Sequence, residues 1–136
     1  MSLPNIDVLT SNKRKALIDF LSDLEYSLSE CIKPDMAKMK FSRSFNQARA
    51  TVEKINLRLK SKYYGEEEEK YNPKNGLLEN IEELAKFLRV LSDNINEEED
   101  VKEKLRCAAR QIEYGYKCFL KTLMHCLIYL QLEDMK

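Results

Sequence analysis

The chain has 136 residues, the size of one domain and enough for a self-sufficient hydrophobic core. Lys plus Arg and Asp plus Glu number 23 each, so the formal net charge is zero. A protein dedicated to binding polyanions usually carries a positive surplus, so this balance argues against that class. Four cysteines occur in a sequence with no sign of an oxidising environment, and we expect them to be reduced and mostly buried.

Neither a signal peptide nor a membrane span is predicted. Residues 1–10 lack a basic stretch followed by an apolar run. The most apolar stretch, residues 116–132, contains Lys117, Lys121 and His125. It is shorter than the roughly 20 apolar residues that a membrane-spanning helix needs. We therefore expect a soluble, cytoplasmic protein with no membrane partner.

The N-terminal half predicts a tail and two helices. Residues 1–10 are predicted to be a tail, and Ser11 or Asn12 can cap a first helix that runs to about Ile32. Pro34 ends this helix or opens the next, because proline is tolerated only in a first helical turn. Residues 35–64 predict the second helix. The main loop is predicted over residues 65–76, which contain an acidic run, a proline and an Asn-Gly turn signal.

The C-terminal half predicts two more helices. Residues 77–95 predict the third helix. Asn96 can cap the fourth, which runs to about Leu132 and carries the acidic residues 97–100 in its positively polarised first turn.

Apolar residues follow heptad spacing in the second and third helices. The two sets are Phe41, Phe45, Ala48, Val52, Ile55, Leu59 and Leu77, Ile81, Leu84, Leu88, Leu91, Ile95. Each set forms an apolar stripe that another helix must bury, as in coiled-coil packing. The sequence therefore predicts one all-α domain over residues 1–136, a bundle of four long, mostly antiparallel helices.

The fourth helix has apolar residues on more than one side. One side carries Phe119, Leu123, Cys126, Leu127 and Leu130, and another carries Leu120, Met124 and Ile128. A helix with a single buried face does not need both, so we predict self-association through Leu120, Met124 and Ile128. The alternative is that the N-terminal tail covers the extra face with its own apolar residues, Leu3, Ile6, Val8 and Leu9.

No constellation for catalysis or metal binding is found in the sequence. The one histidine, His125, lies in an apolar segment, and Cys118 is seven residues away, about 10 Å along a helix, too far to share one zinc ion. A di-iron bundle needs Glu-x-x-His, but Thr122 stands three residues before His125. The three glycines are scattered and form no phosphate-binding loop. We therefore predict a non-enzymatic protein with no catalytic residue, metal, cofactor or small-molecule substrate.

Charge is distributed unevenly along the chain. Residues 35–62 contain eight basic and two acidic residues, whereas residues 79–100 contain eight acidic and two basic ones. The oppositely charged helices can lie side by side and neutralise each other. Alternatively, the second and fourth helices form a groove that follows the phosphates of RNA or single-stranded DNA. In that case we expect contacts from a basic ridge and from aromatic side chains that stack on bases: Lys54, Arg58, Lys62, Tyr63 and Tyr64.

A stretch in the second helix carries a family resemblance. Arg49-x-x-x-Glu53-x-x-Asn56 before an acidic loop, together with the helical composition and the C-terminal helix, resembles the small helical subunit of type III CRISPR effector complexes. The helix-entry motif of that family is not matched around residues 42–46. The resemblance implies an RNA-contacting subunit of a nucleoprotein complex. The residues themselves favour a helical interaction module that works as an oligomer or as one subunit of a larger complex.

Overall fold

The structure is a computed structural model that describes residues 3–10, 14–31, 38–64 and 81–135. These residues form five α-helices and no strand: α1 (Ile6–Thr10), α2 (Arg14–Glu30), α3 (Lys40–Tyr64), α4 (Ile81–Asn94) and α5 (Glu99–Asp134). The prediction of an all-α fold is confirmed. None of the helices in the described ranges is long and apolar enough to cross a membrane.

The short helix α1 lies within the segment that the sequence predicts as a tail. The Asn5 side chain accepts a hydrogen bond from the backbone N–H of Asp7 at 2.9 Å, an early-turn cap. Leu9 is buried, at 2% exposure, and α1 packs against α2 and α4. Burial of Leu9, together with the packing of Leu3 and Ile6 against the core, stabilises a helix that is too short to form alone.

Two of the predicted helix boundaries are wrong. Helix α3 begins at Lys40 rather than at residue 35, because Lys38 and Met39 lie in a turn. The N-cap of α5 is Glu98 rather than Asn96, and it makes no side-chain cap hydrogen bond. The predicted cap at Ser11 or Asn12, the Pro34 boundary and the loop over residues 65–76 lie outside the described residues.

The heptad stripes of α3 and α4 form part of the core, together with residues of α2 and α5; Leu77 lies outside the described residues. Phe45, Val52 and Ile55 of α3 and Leu84 and Leu88 of α4 are among its buried residues, each at most 2% exposed. Helix α5 packs against both α3 and α4, while α2 packs against α3.

Cross-helix contacts fix the direction of the neighbours of α5. Phe41 near the start of α3 contacts Phe119, with ring centroids 5.4 Å apart, while Arg58 near the end of α3 pairs with Asp100. Helix α3 is therefore antiparallel to α5. The same holds for α4, since Arg89 pairs with Glu113 at 2.8 Å and Asp93 pairs with Arg106 at 2.9 Å.

Gly115 allows α3 and α5 to cross closely. A Cβ atom at this position would lie 2.9 Å from Cε1 of Phe45 and 3.2 Å from Cβ of Ser44. Both α3 residues are at most 5% exposed, so the core offers them little room to move. The glycine is thus required by packing at the helix crossing.

We expect Gly115→Ala to destabilise the fold despite the better helix propensity of alanine. Alanine gains about 1 kcal/mol in a helix interior, whereas an added buried carbon that displaces a packed ring costs roughly 1–3 kcal/mol. The free energy of unfolding, measured with urea, should fall by about 1 kcal/mol. In the Gly115→Ala/Phe45→Leu double variant the loss should be clearly smaller than the sum of the two single losses. Strictly additive losses would show that the Phe45 ring is not what the new carbon meets.

A buried polar cluster joins α2 and α3. The Asn56 side chain, at 2% exposure, donates hydrogen bonds to Ser22 Oγ and to Glu25 Oε2, both at 2.9 Å. Partial burial raises the pKa of Glu25, the Asn56 hydrogen bond opposes this shift, and repulsion from Glu53 adds to it. The charged form of Glu25 therefore opposes folding at neutral pH.

We expect Glu25→Gln to stabilise the protein at pH 7, because the amide keeps an acceptor for Asn56 and carries no charge to desolvate. A carboxyl with a raised pKa takes up a proton in the folded state first, so its penalty disappears as the pH falls through that pKa. The gain in unfolding free energy should therefore shrink between pH 7 and the ordinary Glu value of 4.5. The control is Glu30→Gln, an exposed change on the same helix, which should give no pH-dependent gain. A gain for Glu25→Gln that is constant with pH would contradict the assignment.

Candidate interaction surface

Helix α5 extends beyond both of its neighbours. It has 36 residues against 25 for α3, a difference of about 16 Å in length. Phe119 lies beside Phe41, in the first turn of α3, and Leu120 lines a groove with Ile81, the first residue of α4. In the described residues, α3 and α4 therefore both begin alongside residues 119–120 of α5.

The segment that follows is exposed on every side. All residues from 123 to 135 are exposed in the described structure, although many are apolar. We call residues 123–134 the C-terminal overhang. The large apolar side chains on it include Leu123, Met124, Leu127, Ile128, Tyr129, Leu130 and Leu132, which are 43–62% exposed.

The apolar stripe that faces the core continues along the overhang. In the first half of α5 it runs through Val101, Leu105, Ala108, Ile112 and Gly115, at successive steps of four or three residues, and all of these are buried. With the same steps it continues through Phe119, Leu123, Cys126 and Leu130. Phe119 is 39% exposed and Leu130 is 58% exposed, so the stripe remains apolar where it extends beyond the core.

The residues predicted for self-association lie beside this stripe. Leu120, Met124 and Ile128 are 37%, 60% and 52% exposed. Their role in self-association stays a prediction. Sequence reasoning missed Leu123, Leu127 and Leu130 as part of the same exposed surface. The signal that could have found them is the length of the fourth helix, which exceeds that of every helix predicted to pack beside it.

The N-terminal segment packs elsewhere. Helix α1 contacts α2 and α4, and its Val8 is itself 48% exposed. Residues 123–135 remain exposed with α1 in place. The described part of this segment, residues 3–10, therefore does not cover the extra face of the last helix, contrary to the alternative prediction.

A basic groove lies at the base of the overhang, between the start of α3 and the middle of α5. Its volume is about 580 Å³, and it is lined by Lys38, Met39, Lys40, Tyr114, Lys117, Cys118, Leu120, Lys121 and Thr122. All four lysines are exposed, and no carboxylate is among the lining residues. A hydrogen bond with the Cys118 thiol raises the pKa of the Tyr114 phenol, so Tyr114 lines the groove as a neutral group at neutral pH.

The basic ridge predicted to contact nucleic acid lies at the other end of α3. Lys54, Arg58 and Lys62 are exposed. Arg58 forms ion pairs with Glu98 and Asp100 at the start of α5. Lys62 lies 3.5 Å from Glu97, whose side chain is 1% exposed. The side chains of Tyr63 and Tyr64 lie outside the described residues.

The acidic residues at the start of α5 form ion pairs with several basic residues. A hydrogen bond from Lys104, with further attraction from Lys104 and Arg58, lowers the pKa of Asp100. The acidic residues 97–100 thus place negative charge directly beside the predicted phosphate-contacting ridge. This is the neutralising arrangement that the sequence offered as an alternative, except that the acidic partner is the start of α5 rather than α4.

The residues that carry the family resemblance make contacts inside the chain. Arg49 pairs with Glu53 at 2.8 Å, one helical turn along α3. Asn56 is bonded to α2, as described above. Arg49 and Glu53 thus pair within α3 itself, and Asn56 joins α3 to α2.

The cysteines are free, but the expectation that they are mostly buried is wrong for the last one. Cys31, Cys107 and Cys118 are half-buried, and Cys126 is exposed because it lies on the overhang. His125, next to it, is exposed as well. Within the described residues no three His, Cys, Asp or Glu side chains converge in a geometry that could hold a metal ion.

Comparisons of this chain with protein families, with curated proteins and with solved structures gave no match.

Proposed function

We propose that this protein is a non-enzymatic assembly module that self-associates through the C-terminal overhang of α5. The four longer helices form one bundle that presents the overhang. The protein then works as an oligomer or as a small subunit of a larger complex. The observation that carries the proposal is the apolar stripe of α5, which is buried between α3 and α4 and then continues, exposed, past the start of both.

Burial of apolar area supplies the driving force. Half the lateral surface of an 18 Å helical segment is about 300 Å², so pairing two overhangs would bury about 600 Å² in total. At roughly 25 cal/mol per Å² of apolar area this corresponds to at most about 15 kcal/mol before costs, because polar residues such as Gln131 and Asp134 share the surface. Association itself costs an estimated 4–15 kcal/mol. The overhang can therefore drive association, although one helix face alone gives a small interface by the usual standard of roughly 1,200 Å² or more.

The breadth of the exposed apolar surface also supports self-association. The stripe through Leu123 and Leu130 and the adjacent face with Met124 and Ile128 together span more than one side of the helix. Apolar patches that are contiguous and rimmed by polar residues mark interaction surfaces more often than single exposed apolar side chains do. Two faces can bury against two neighbouring helices, which allows assemblies larger than a dimer.

We expect the wild-type chain to form a dimer or a larger oligomer at tens of micromolar, and Leu123→Glu/Leu127→Glu to be a monomer of 16.0 kDa. A carboxylate on each copy would have to be buried, unpaired, in the shared interface, which is strongly unfavourable. Size-exclusion chromatography with light scattering measures the mass directly. Circular dichroism on the same samples reports whether the bundle remains folded.

The matched control for this variant is Leu57→Glu. Leu57 is 58% exposed on α3 and Leu127 is 52% exposed on the overhang, so the two changes put the same charge in equally exposed positions. Leu57→Glu should leave the oligomeric mass unchanged. A wild-type chain that stays at the monomer mass up to the highest soluble concentration would contradict the proposed function.

The second candidate is an RNA- or single-stranded-DNA-contacting subunit. What favours it is the exposure of Lys54, Arg58 and Lys62 along one face of α3. What weighs against it is the ion pairing of Arg58 and Lys62 with the acidic start of α5, which lowers the positive potential along this ridge. Self-association is therefore the better supported function.

If the ridge contacts phosphates, filter binding at low salt should retain a single-stranded oligonucleotide. Each contact adds roughly 0.7 to the slope of log affinity against log salt, so three residues should give a slope of about two. Lys54→Glu/Arg58→Glu/Lys62→Glu should abolish retention. Lys117→Glu/Lys121→Glu, an equal type of charge reversal at the opposite end of the bundle, should leave retention largely intact. Absence of retention by the wild-type chain at low salt would remove this candidate.

A further inference from the structure

The basic groove at the base of the overhang collects positive charge from two parts of the chain. Lys40 is the first residue of α3 and Lys38 lies in the turn before it, whereas Lys117 and Lys121 lie one helical turn apart in the middle of α5. All four side chains are exposed. Four ammonium groups that are distant in sequence therefore surround one opening.

The charge of these lysines is not used inside the bundle. None of the four forms an ion pair with a carboxylate of the described part of the chain. Glu82 and Glu113 share a neighbouring groove with Lys117, but the other three lysines do not line it, and the Glu113 carboxylate accepts two hydrogen bonds from Arg89, at 2.8 and 3.0 Å. The basic groove therefore keeps a positive potential that suits an anionic group supplied from outside the chain.

The groove also has an apolar surface beside the charges. Met39, Tyr114 and Leu120 line it, and all three are exposed. An aromatic ring with apolar neighbours offers a packing surface to a nucleobase or another flat organic group. The volume of about 580 Å³ lies within the range of roughly 300–1,000 Å³ that is typical of small-molecule sites.

From charge, apolar lining and volume together we propose that the basic groove binds a small organic molecule with two or more adjacent phosphates, such as a nucleoside polyphosphate. The phosphates bind between the two pairs of lysines, and the organic body packs on the Tyr114 ring and its apolar neighbours. Lysine suits this role because its ammonium group is a compact charge with three hydrogen-bond donors. The groove is formed within one chain, so this inference goes beyond self-association and does not depend on it.

The convergence of the four charges favours a compact polyanion over a nucleic-acid strand. Adjacent phosphates concentrate several negative charges in one place, whereas a single strand distributes one charge per nucleotide along an extended backbone. Few phosphates of a strand fit into a groove of about 580 Å³. Strand binding therefore stays with the ridge at the other end of α3.

Calorimetric titration tests the ligand class. At low salt and without divalent cations, adenosine triphosphate should bind more tightly than inorganic tripolyphosphate, and adenosine should show no binding. Lys117→Glu/Lys121→Glu should raise the dissociation constant for adenosine triphosphate by about tenfold or more, because two attractive contacts become repulsive. Lys38→Gln/Lys40→Gln should weaken binding as well, since the charge comes from both sides of the groove.

The matched control is Lys54→Glu/Lys62→Glu. It makes the same change in charge at two exposed positions toward the other end of α3, and it should leave the affinity largely intact. All of these positions are exposed, so the variants should fold, and circular dichroism verifies this. Equal loss of affinity in this control would overturn the proposal, and so would tripolyphosphate binding as tightly as adenosine triphosphate.

Thiol modification locates the ligand. Cys118 lines the groove, whereas Cys126 is exposed on the overhang. Adenosine triphosphate should slow the alkylation of Cys118 by iodoacetamide and leave the rate at Cys126 unchanged, as measured by mass spectrometry of the peptides. An unchanged rate at Cys118 with saturating ligand would show that binding occurs elsewhere.

The outcomes separate this site from the proposed function. Leu123→Glu/Leu127→Glu, which should be monomeric, should bind adenosine triphosphate with an affinity close to that of the wild type, because neither residue lines the groove. A monomeric wild-type chain that binds this ligand overturns only self-association. An oligomer that binds neither polyphosphate at millimolar concentration overturns only the ligand site. A single-stranded oligonucleotide that binds more tightly than adenosine triphosphate, and is lost in Lys117→Glu/Lys121→Glu, also overturns it.

Discussion

The apolar stripe of α5 is the constraint on which the rest of the structure depends. Over its first half this stripe packs between α3 and α4, where small residues, Ala108, Ala109 and Gly115, let the helices approach closely. At Gly115 the distance is set by contact with Phe45, so α3 cannot move outward without leaving a void. The positions of α3 and α4 fix where the core ends along α5, and hence where the exposed segment begins.

Local sequence patterns predict the parts of this fold that depend on local physics. From Phe41 to Leu59 and from Leu84 to Ile95 the heptad residues are buried as their spacing indicates, because periodicity alone decides which side of a helix is apolar. The ends of the helices are predicted less well than their buried faces. Asn96 is a good cap by residue type, yet α5 begins two residues later, after Glu98. Leu9 stabilises α1 only because α2 and α4 enclose it, a tertiary effect that no window of sequence contains.

The candidate surface needed tertiary information for the same reason. Leu120, Met124 and Ile128 could be selected from the sequence because the fourth helix has surplus apolar residues. The exposure of Leu123 and Leu130 could not, since it depends on where α3 and α4 begin relative to α5. The basic groove is likewise invisible in the sequence, because Lys38 and Lys40 are far from Lys117 and Lys121 along the chain and converge only when α3 crosses α5.

Association and helix formation are linked in the proposed assembly. Residues 123–134 continue a helix whose first half is packed, so they need no new nucleus, but they lack the packing that stabilises that half in the described structure. Packing against a second copy would add apolar contacts to this segment and to nothing else in the bundle. If two copies pair as proposed, binding to the helical form would shift the equilibrium toward it by mass action, and order in the overhang would rise with protein concentration. The bundle of α2, α3, α4 and the first half of α5 has its own core, so it supplies a fixed base from which this transition starts.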